Sequence, residues 1–264
     1  DAVHVTLIEA SPALKMVQGQ TLASASVPIN WAKDFDKAPS GPAVVIGNEF
    51  LDCLPIRQAI RHKGQWRERV VTLHPEDEAR FVYGLGPVLG EADMAFIAPG
   101  LREADDGTLV ELRPGDQQQI DQLAAWFDRD PGYALFVDYG SAKPETGDTL
   151  QAIRAHQKVD PLDAPGTADL TAWVDFDRLL RLGVDAGLSA FGPMTQGDFL
   201  TELGIEQRAA VLSRSVDEAG QAKLKRQMHR LVSPEDMGTL FKLAAFSSEG
   251  LPPAPGIAPF KRSR

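Results

Sequence analysis

A run of four apolar residues, Ala43-Val44-Val45-Ile46, sets the architecture of this chain. A short continuous run of this kind reads as a strand of a parallel sheet, buried on both faces. It passes directly into Gly47-Asn48-Glu49-Phe50-Leu51-Asp52-Cys53-Leu54-Pro55. In an open α/β sheet, ligands bind outside the carboxyl ends of the strands. Asn48, Glu49 and Asp52 therefore stand at the ligand edge, offering an amide and two carboxylates. The same spacing also suits a plain strand-to-turn connection with solvated acids. Pro55 limits any helix begun in this turn, and Asp52 could cap one.

The surrounding chain repeats the pattern. Val3 to Ile8 reads as a strand ending at Glu9, followed by a helix with Ser11 as N-cap and Pro12 at its first position. Leu14, Val17 and Leu22 are expected on the core side of that helix. A second short strand, Ser26 to Trp31, leads to Asp34-Phe35. Strand, helix, strand, strand is the opening of a doubly wound parallel sheet. Residues 57–113 differ in texture: Trp66–Leu73, Ala79–Gly84 and Val110–Arg113 read as strands of an inserted β element. Gly84 to Gly90 has the wrong spacing for a phosphate loop, and Pro87 interrupts it.

A helix from Pro114 to about Arg129 places Ile120, Leu123, Ala124 and Phe127 on one face. Tyr133 to Val137 is the next buried strand, ending in Asp138-Tyr139-Gly140. Residues 141–171 read as a long polar loop with His156 and Asp169, expected to cover the substrate side of a site. A helix follows from Val174 to Leu182. The last strands are Leu188–Phe191 and Thr239–Phe246; Leu251 to Pro259 is Pro-rich, and the basic end Lys261, Arg262 and Arg264 reads as a frayed tail.

Composition removes several function classes. Lys plus Arg is 27 and Asp plus Glu is 37, a formal net charge of -10; a general nucleic-acid binder needs a basic surface instead. No apolar run approaches the roughly 20 residues of a membrane-spanning helix. The single cysteine, Cys53, forbids an internal disulfide, fits a reducing compartment, and reads as a small core residue rather than a nucleophile. The five histidines do not pair at metal-ligand spacing. Glu9, Glu49 and Asp138 each end a strand and Asp34 follows another, so four acids lie along one sheet edge, which suits a polar small-molecule ligand. Glu9 has the position of the acid that grips ribose hydroxyls in dinucleotide folds; the Gly-rich turn that precedes such an acid would lie before Asp1.

Several motifs, in order, resemble one family. Gly-Asn-Glu-Phe-Leu-Asp-Cys-Leu-Pro at 47–55, Asp138-Tyr139-Gly140, Gly147-Asp148-Thr149, Ala168 to Thr171, Val174-Asp175-Phe176 and Gly192 to Gly197 are similar to the motifs of the MidA-like, S-adenosyl-L-methionine (SAM)-dependent methyltransferases, which include mitochondrial complex I assembly arginine methyltransferases. The resemblance implies a class I methyltransferase: a Rossmann-like α/β sheet with the inserted β element, residues 1–264 forming one domain. It implies SAM as cofactor, with Glu9 on the ribose, Asp34 and Phe35 near adenine, and Asn48 beside the sulfonium. Glu49 and Asp52, with Asn48, become the catalytic candidates, holding a guanidinium by charge-assisted hydrogen bonds. Asp138, Tyr139, His156 and Asp169 become the substrate side, with His156 equally a structural histidine. The implied partner is a protein substrate, with a respiratory-complex subunit and a homodimer as candidate associations, in the bacterial cytoplasm or the mitochondrial matrix. The family's first strand and Gly-rich loop are absent from residues 1–264, so about 100 further residues are expected before Asp1. Two other readings stay open: an assembly or chaperone-like interaction protein that kept the fold without catalysis, and a nucleotide-dependent dehydrogenase.

Overall fold

The computed structural model describes residues 4–261. Strand β1 (Val5–Ile8), helix α1 (Pro12–Thr21) and strand β2 (Ile29–Ala32) form a βαβ unit with the two strands parallel, Val5 opposite Ile29 and Ile8 opposite Ala32. The Ser11 hydroxyl accepts the Leu14 N–H at 3.3 Å, so the expected cap is formed. The expected core face of α1 is not: Leu14 and Val17 are exposed and no α1 residue is buried. The β1–β2 pair joins no other strand among the described residues. A sheet of two strands gives the helix too little surface to bury a stripe.

Strand β3 (Ala43–Asn48) is followed by the inserted element. Strands β4 (Arg57–His62), β5 (Gln65–His74) and β6 (Asp77–Val88), the short helix α2 (Glu91–Met94) and strand β7 (Leu109–Leu112) build an antiparallel sheet in the order β6-β5-β4-β7. Ala59, Trp66, Ile97, Val110 and Leu112 form its own small core. Strand β4 escaped the sequence reading because its polar residues, Arg57, Gln58 and Arg61, make side-chain bonds within the element. Gly84 to Val88 lie inside β6.

Helix α3 (Pro114–Arg129) leads into β8 (Gly132–Ser141), the middle of the main sheet. Strands β9 (Gln151–Arg154), β10 (Gln157–Val159) and β11 (Asp169–Thr171) then form a small antiparallel sheet inside the segment expected as a loop. Strand β12 (Val174–Asp175), helix α4 (Phe176–Asp185), strand β13 (Ser189–Thr195), helices α5 (Gln196–Glu202), α6 (Ile205–Ser213), α7 (Glu218–Val232) and α8 (Met237–Leu240), and strand β14 (Phe241–Ser247) complete the elements.

On one edge of β8 lie β3, parallel over Gly132–Val137, and then β12, parallel at Gly140 and Ser141. On the other edge runs antiparallel β14, paired in turn with β13. Helices α3 and α4 bury Ile120, Leu123, Trp126, Phe127, Leu179 and Leu180 against Ala134, Phe136 and Phe246 of the sheet. Each such large side chain contributes about 1.5–3 kcal/mol on burial. The expectation that β3 is buried on both faces holds for one only: Val45 packs on this core, whereas Val44 and Ile46 are 74% and 71% exposed. The Pro-rich C-terminal segment is anchored to the sheet: Ile257 is buried against Phe191 and Ala245, and the Phe260 N–H donates to the Ala190 carbonyl at 2.9 Å. Arg262 and Arg264 lie outside the described residues.

Candidate functional site

Asp138 organises the ligand edge. It sits inside β8, fully buried, where the sequence reading had placed it on the substrate side. Its Oδ2 accepts the backbone N–H groups of Phe50, Leu51 and Asp52 at 3.1, 2.9 and 3.2 Å, and its Oδ1 accepts its own neighbour, the Tyr139 N–H, at 2.9 Å. One carboxylate thus holds the whole turn after β3. Burial, together with the nearby Asp52 carboxylate, pushes the Asp138 carboxyl up to about 7, against the pull of those amides. Asp52 is buried as well and accepts the Tyr139 hydroxyl at 2.6 Å, while burial and this hydrogen bond raise the phenol above its ordinary range. No helix follows Asp52 for it to cap: residues 51–54 form a turn closed by Leu54 N–H to the Leu51 carbonyl. Cys53 is exposed on that turn rather than in the core. Gly140 has to lack a side chain, because a Cβ there would lie 2.0 Å from the Val174 carbonyl oxygen where β12 meets β8.

Arg113 ties this turn to the next loop. Its guanidinium is buried and paired with buried Asp116, Nε to Oδ2 at 2.7 Å and Nη2 to Oδ1 at 3.1 Å. The remaining donors reach the Leu51 carbonyl at 2.6 Å and the Trp173 carbonyl at 2.9 Å. Burial opposes the charge on Arg113, but the Asp116 carboxylate outweighs it and holds the guanidinium cationic. From the other side, the Thr149 hydroxyl accepts the Trp173 N–H at 2.8 Å and donates to Glu111 at 2.5 Å. Asp148 bonds Arg69 and Gln58 of the inserted sheet. The Gly147-Asp148-Thr149 motif is therefore a clasp between the inserted sheet and the site loops. Sequence reading missed Arg113 and Asp116; the available signal was an Arg and an Asp three apart at a helix start marked by Pro114.

The other expected residues fall in two groups. Just past the end of β1, Glu9 is half-buried, its two oxygens accepting Ser11 N–H at 2.7 Å and Gln18 Nε2 at 3.0 Å. Each carboxylate oxygen keeps a second lone pair for a hydroxyl. Asp34 has a buried Oδ1 without a hydrogen-bond partner, and its side chain caps nothing. The Phe35 ring is instead a core residue packed with Phe50 and Trp126. Asn48 and Glu49 are exposed, and Glu49 adopts a left-handed backbone, φ 48°, uncommon for a residue with a side chain. Residues in such strained conformations cluster at functional sites. His156 is exposed at the β9–β10 turn, φ 62°, and Asp169 is exposed at the start of β11.

Comparison with known proteins follows the same lines. Residues 1–194 match the model of a family described as "Putative S-adenosyl-L-methionine-dependent methyltransferase". The mitochondrial protein arginine methyltransferase NDUFAF7 of Xenopus laevis is 34% identical, over 91% of this chain and 58% of its own length. The human protein of that name is 31% identical, over 92% of this chain and 58% of its own length. The chain thus spans less than two thirds of these relatives. A crystal structure from Burkholderia thailandensis superposes with a TM-score of 0.77 at 28% identity, covering 92% of this chain and 65% of that one. A second from the same organism, bound to S-adenosyl-homocysteine, gives a TM-score of 0.72 at 25% identity, covering 92% and 63%. With the motifs, the sheet and the family model in agreement over most of its length, this chain belongs to that family of S-adenosyl-L-methionine-dependent methyltransferases.

Proposed function

We propose that the full-length protein transfers a methyl group from SAM to an arginine side chain of a partner protein. The observation that carries the reading is that Glu9, Asp34 and Asn48-Glu49 stand at or just past the carboxyl ends of three parallel-paired strands, β1, β2 and β3. Glu9 takes the ribose hydroxyls and Asp34 the adenine. When bound, SAM supplies an electrophilic methyl group on a sulfonium. The Asp52 Oδ2 is engaged by Tyr139, which leaves Glu49 as the exposed carboxylate that holds the guanidinium and accepts its proton as the nitrogen attacks. Asn48 orients the Glu49 carboxylate from 3.5 Å.

The outer edges of β1 and β3 have no strand partner among the described residues, and Val44 and Ile46 are bare. This supports placing the family's first strand and Gly-rich loop between those edges, in residues before Asp1. No helix among the described residues is long and apolar enough to cross a membrane. A respiratory-complex subunit as acceptor, a role in complex I assembly, a homodimer, and a mitochondrial or bacterial cytoplasmic site belong to the same reading and rest on the resemblance. Calorimetric titration of the full-length protein with SAM, followed by radiolabelled transfer to arginine-containing partners, tests it. Saturable SAM binding with transfer is expected. Tight binding without transfer to any partner would favour the interaction protein, and no SAM binding would end the methyltransferase reading.

A further inference from the structure

At the carboxyl end of β8 an open cleft of about 440 Å³ is walled by Gly140 and Ser141 on one side and by Pro234, Leu240 and Lys242 on the other, with Trp173 at its edge. A narrower recess beside it shares Ser141 and Trp173. Trp173 is 36% exposed, yet both of its peptide groups are fixed: the N–H by Thr149 and the carbonyl by buried Arg113. Trp66 and Trp126, by contrast, are buried in the two cores. A large aromatic held in the open by hydrogen bonds from two different elements has lost its backbone freedom before any partner arrives, which lowers the cost of binding one. The loop carrying it is also tied to the turn after β3, the Ala172 N–H donating to the Asp52 carbonyl at 3.0 Å.

The chemistry of the walls indicates the occupant. Lys242 spends its ammonium on the carbonyls of Gly140, Thr239 and Leu240 at 2.5, 3.0 and 3.4 Å, and burial lowers its pKa. Lys143 and Glu145 are both exposed at the rim, where water screens their opposed charges. What remains is the indole face, and of the aromatic side chains Trp is the best platform for a guanidinium. The chain itself is acidic, with a net charge of -10, which favours a cationic partner at long range.

We propose that this cleft receives an arginine-bearing segment of the acceptor protein and that Trp173 is a specificity-determining residue, stacking on a guanidinium. The inference rests on the methyltransferase reading for its biological sense, but its test does not. In the full-length protein, a glycine-arginine repeat peptide and its citrulline counterpart, identical in shape but neutral, are titrated by calorimetry against wild type, Trp173→Phe and Trp173→Ala. SAM affinity and melting temperature are measured in parallel. The wild type is expected to prefer the arginine peptide about tenfold, Trp173→Ala to lose that preference, and Trp173→Phe to keep part of it, as a cation–aromatic contact requires. SAM affinity and melting temperature should stay within error. Equal affinity of wild type and Trp173→Ala for the arginine peptide overturns the inference, as does failure of the wild type to bind it at millimolar concentration. A loss of SAM affinity matching the loss of peptide affinity overturns it too, since Trp173 would then be only structural. Peptide recognition without any SAM binding would leave the cleft standing and sink the methyltransferase reading.

Discussion

Replacing Asp116 by Asn takes the negative charge from a pair in which neither partner reaches water. The side chains of Arg113 and Asp116 are 2% and 0% exposed, so solvent cannot take over when the carboxylate goes. Breaking a buried pair in this way costs about 3–5 kcal/mol, because one charge is left uncompensated. At roughly 2–4 °C per kcal/mol for a domain of this size, the melting temperature should fall by about 6–20 °C. The double variant Arg113→Met, Asp116→Leu removes both charges and fills similar volume. It should recover most of that stability, since hydrophobic replacement of a buried pair is often neutral or better. It cannot restore the hydrogen bonds to the Leu51 and Trp173 carbonyls. Turnover should therefore stay at least about tenfold down, equivalent to about 1.4 kcal/mol, while stability returns. Differential scanning calorimetry of full-length variants, with methyl-transfer assays on the same samples, separates the two effects. An Asp116→Asn melt within error of wild type would refute the buried-pair argument. Full activity in the stable double variant would show that Arg113 positions nothing.

Glu49→Gln keeps shape and removes charge, so turnover should drop at least about tenfold with SAM affinity unchanged; full activity in a folded variant removes Glu49 from the mechanism. Glu9→Gln should weaken SAM binding by about 1–3 kcal/mol in calorimetry, and an unchanged affinity would take it off the ribose. Asp138 carries a pKa of about 7 when folded against 3.8 for the free side chain, so in that interval the folded chain holds a proton that the unfolded chain lacks. Its contribution to stability is full below about 4 and is lost as pH rises towards 7. Asp138→Asn should flatten melting temperature against pH across that window, and an identical pH slope in both proteins would contradict the assignment. Gly140→Ala would force a Cβ against the Val174 backbone, so a clear loss of melting temperature is expected.

Local chemistry wrote much of this protein into its sequence. Ser11 before Pro12 starts a helix wherever the chain goes, and the apolar spacing of Ile120, Leu123 and Phe127 specifies a helix face. The strand running into Gly47-Asn48-Glu49 was legible as such, and the motif order carried the family. The roles of single residues were another matter. Asp138 and the turn it anchors are 86 to 88 residues apart, and Arg113 reaches carbonyls 60 and 62 residues away. Hydrogen bonds to backbone groups leave no trace in the identity of the residue that is bonded, so Leu51 and Trp173 gave no sign of Arg113. Polar strands such as β4 and β9 form because neighbours supply partners, which a periodicity of apolar residues does not register. Burial likewise depends on what arrives from elsewhere: Leu14, Val17, Val44 and Ile46 have the character of core residues, but a side chain is buried only where another element covers it. Element type was a local property and could be read along the chain; that Asp138 holds the backbone of a distant turn was decided by contacts between distant segments.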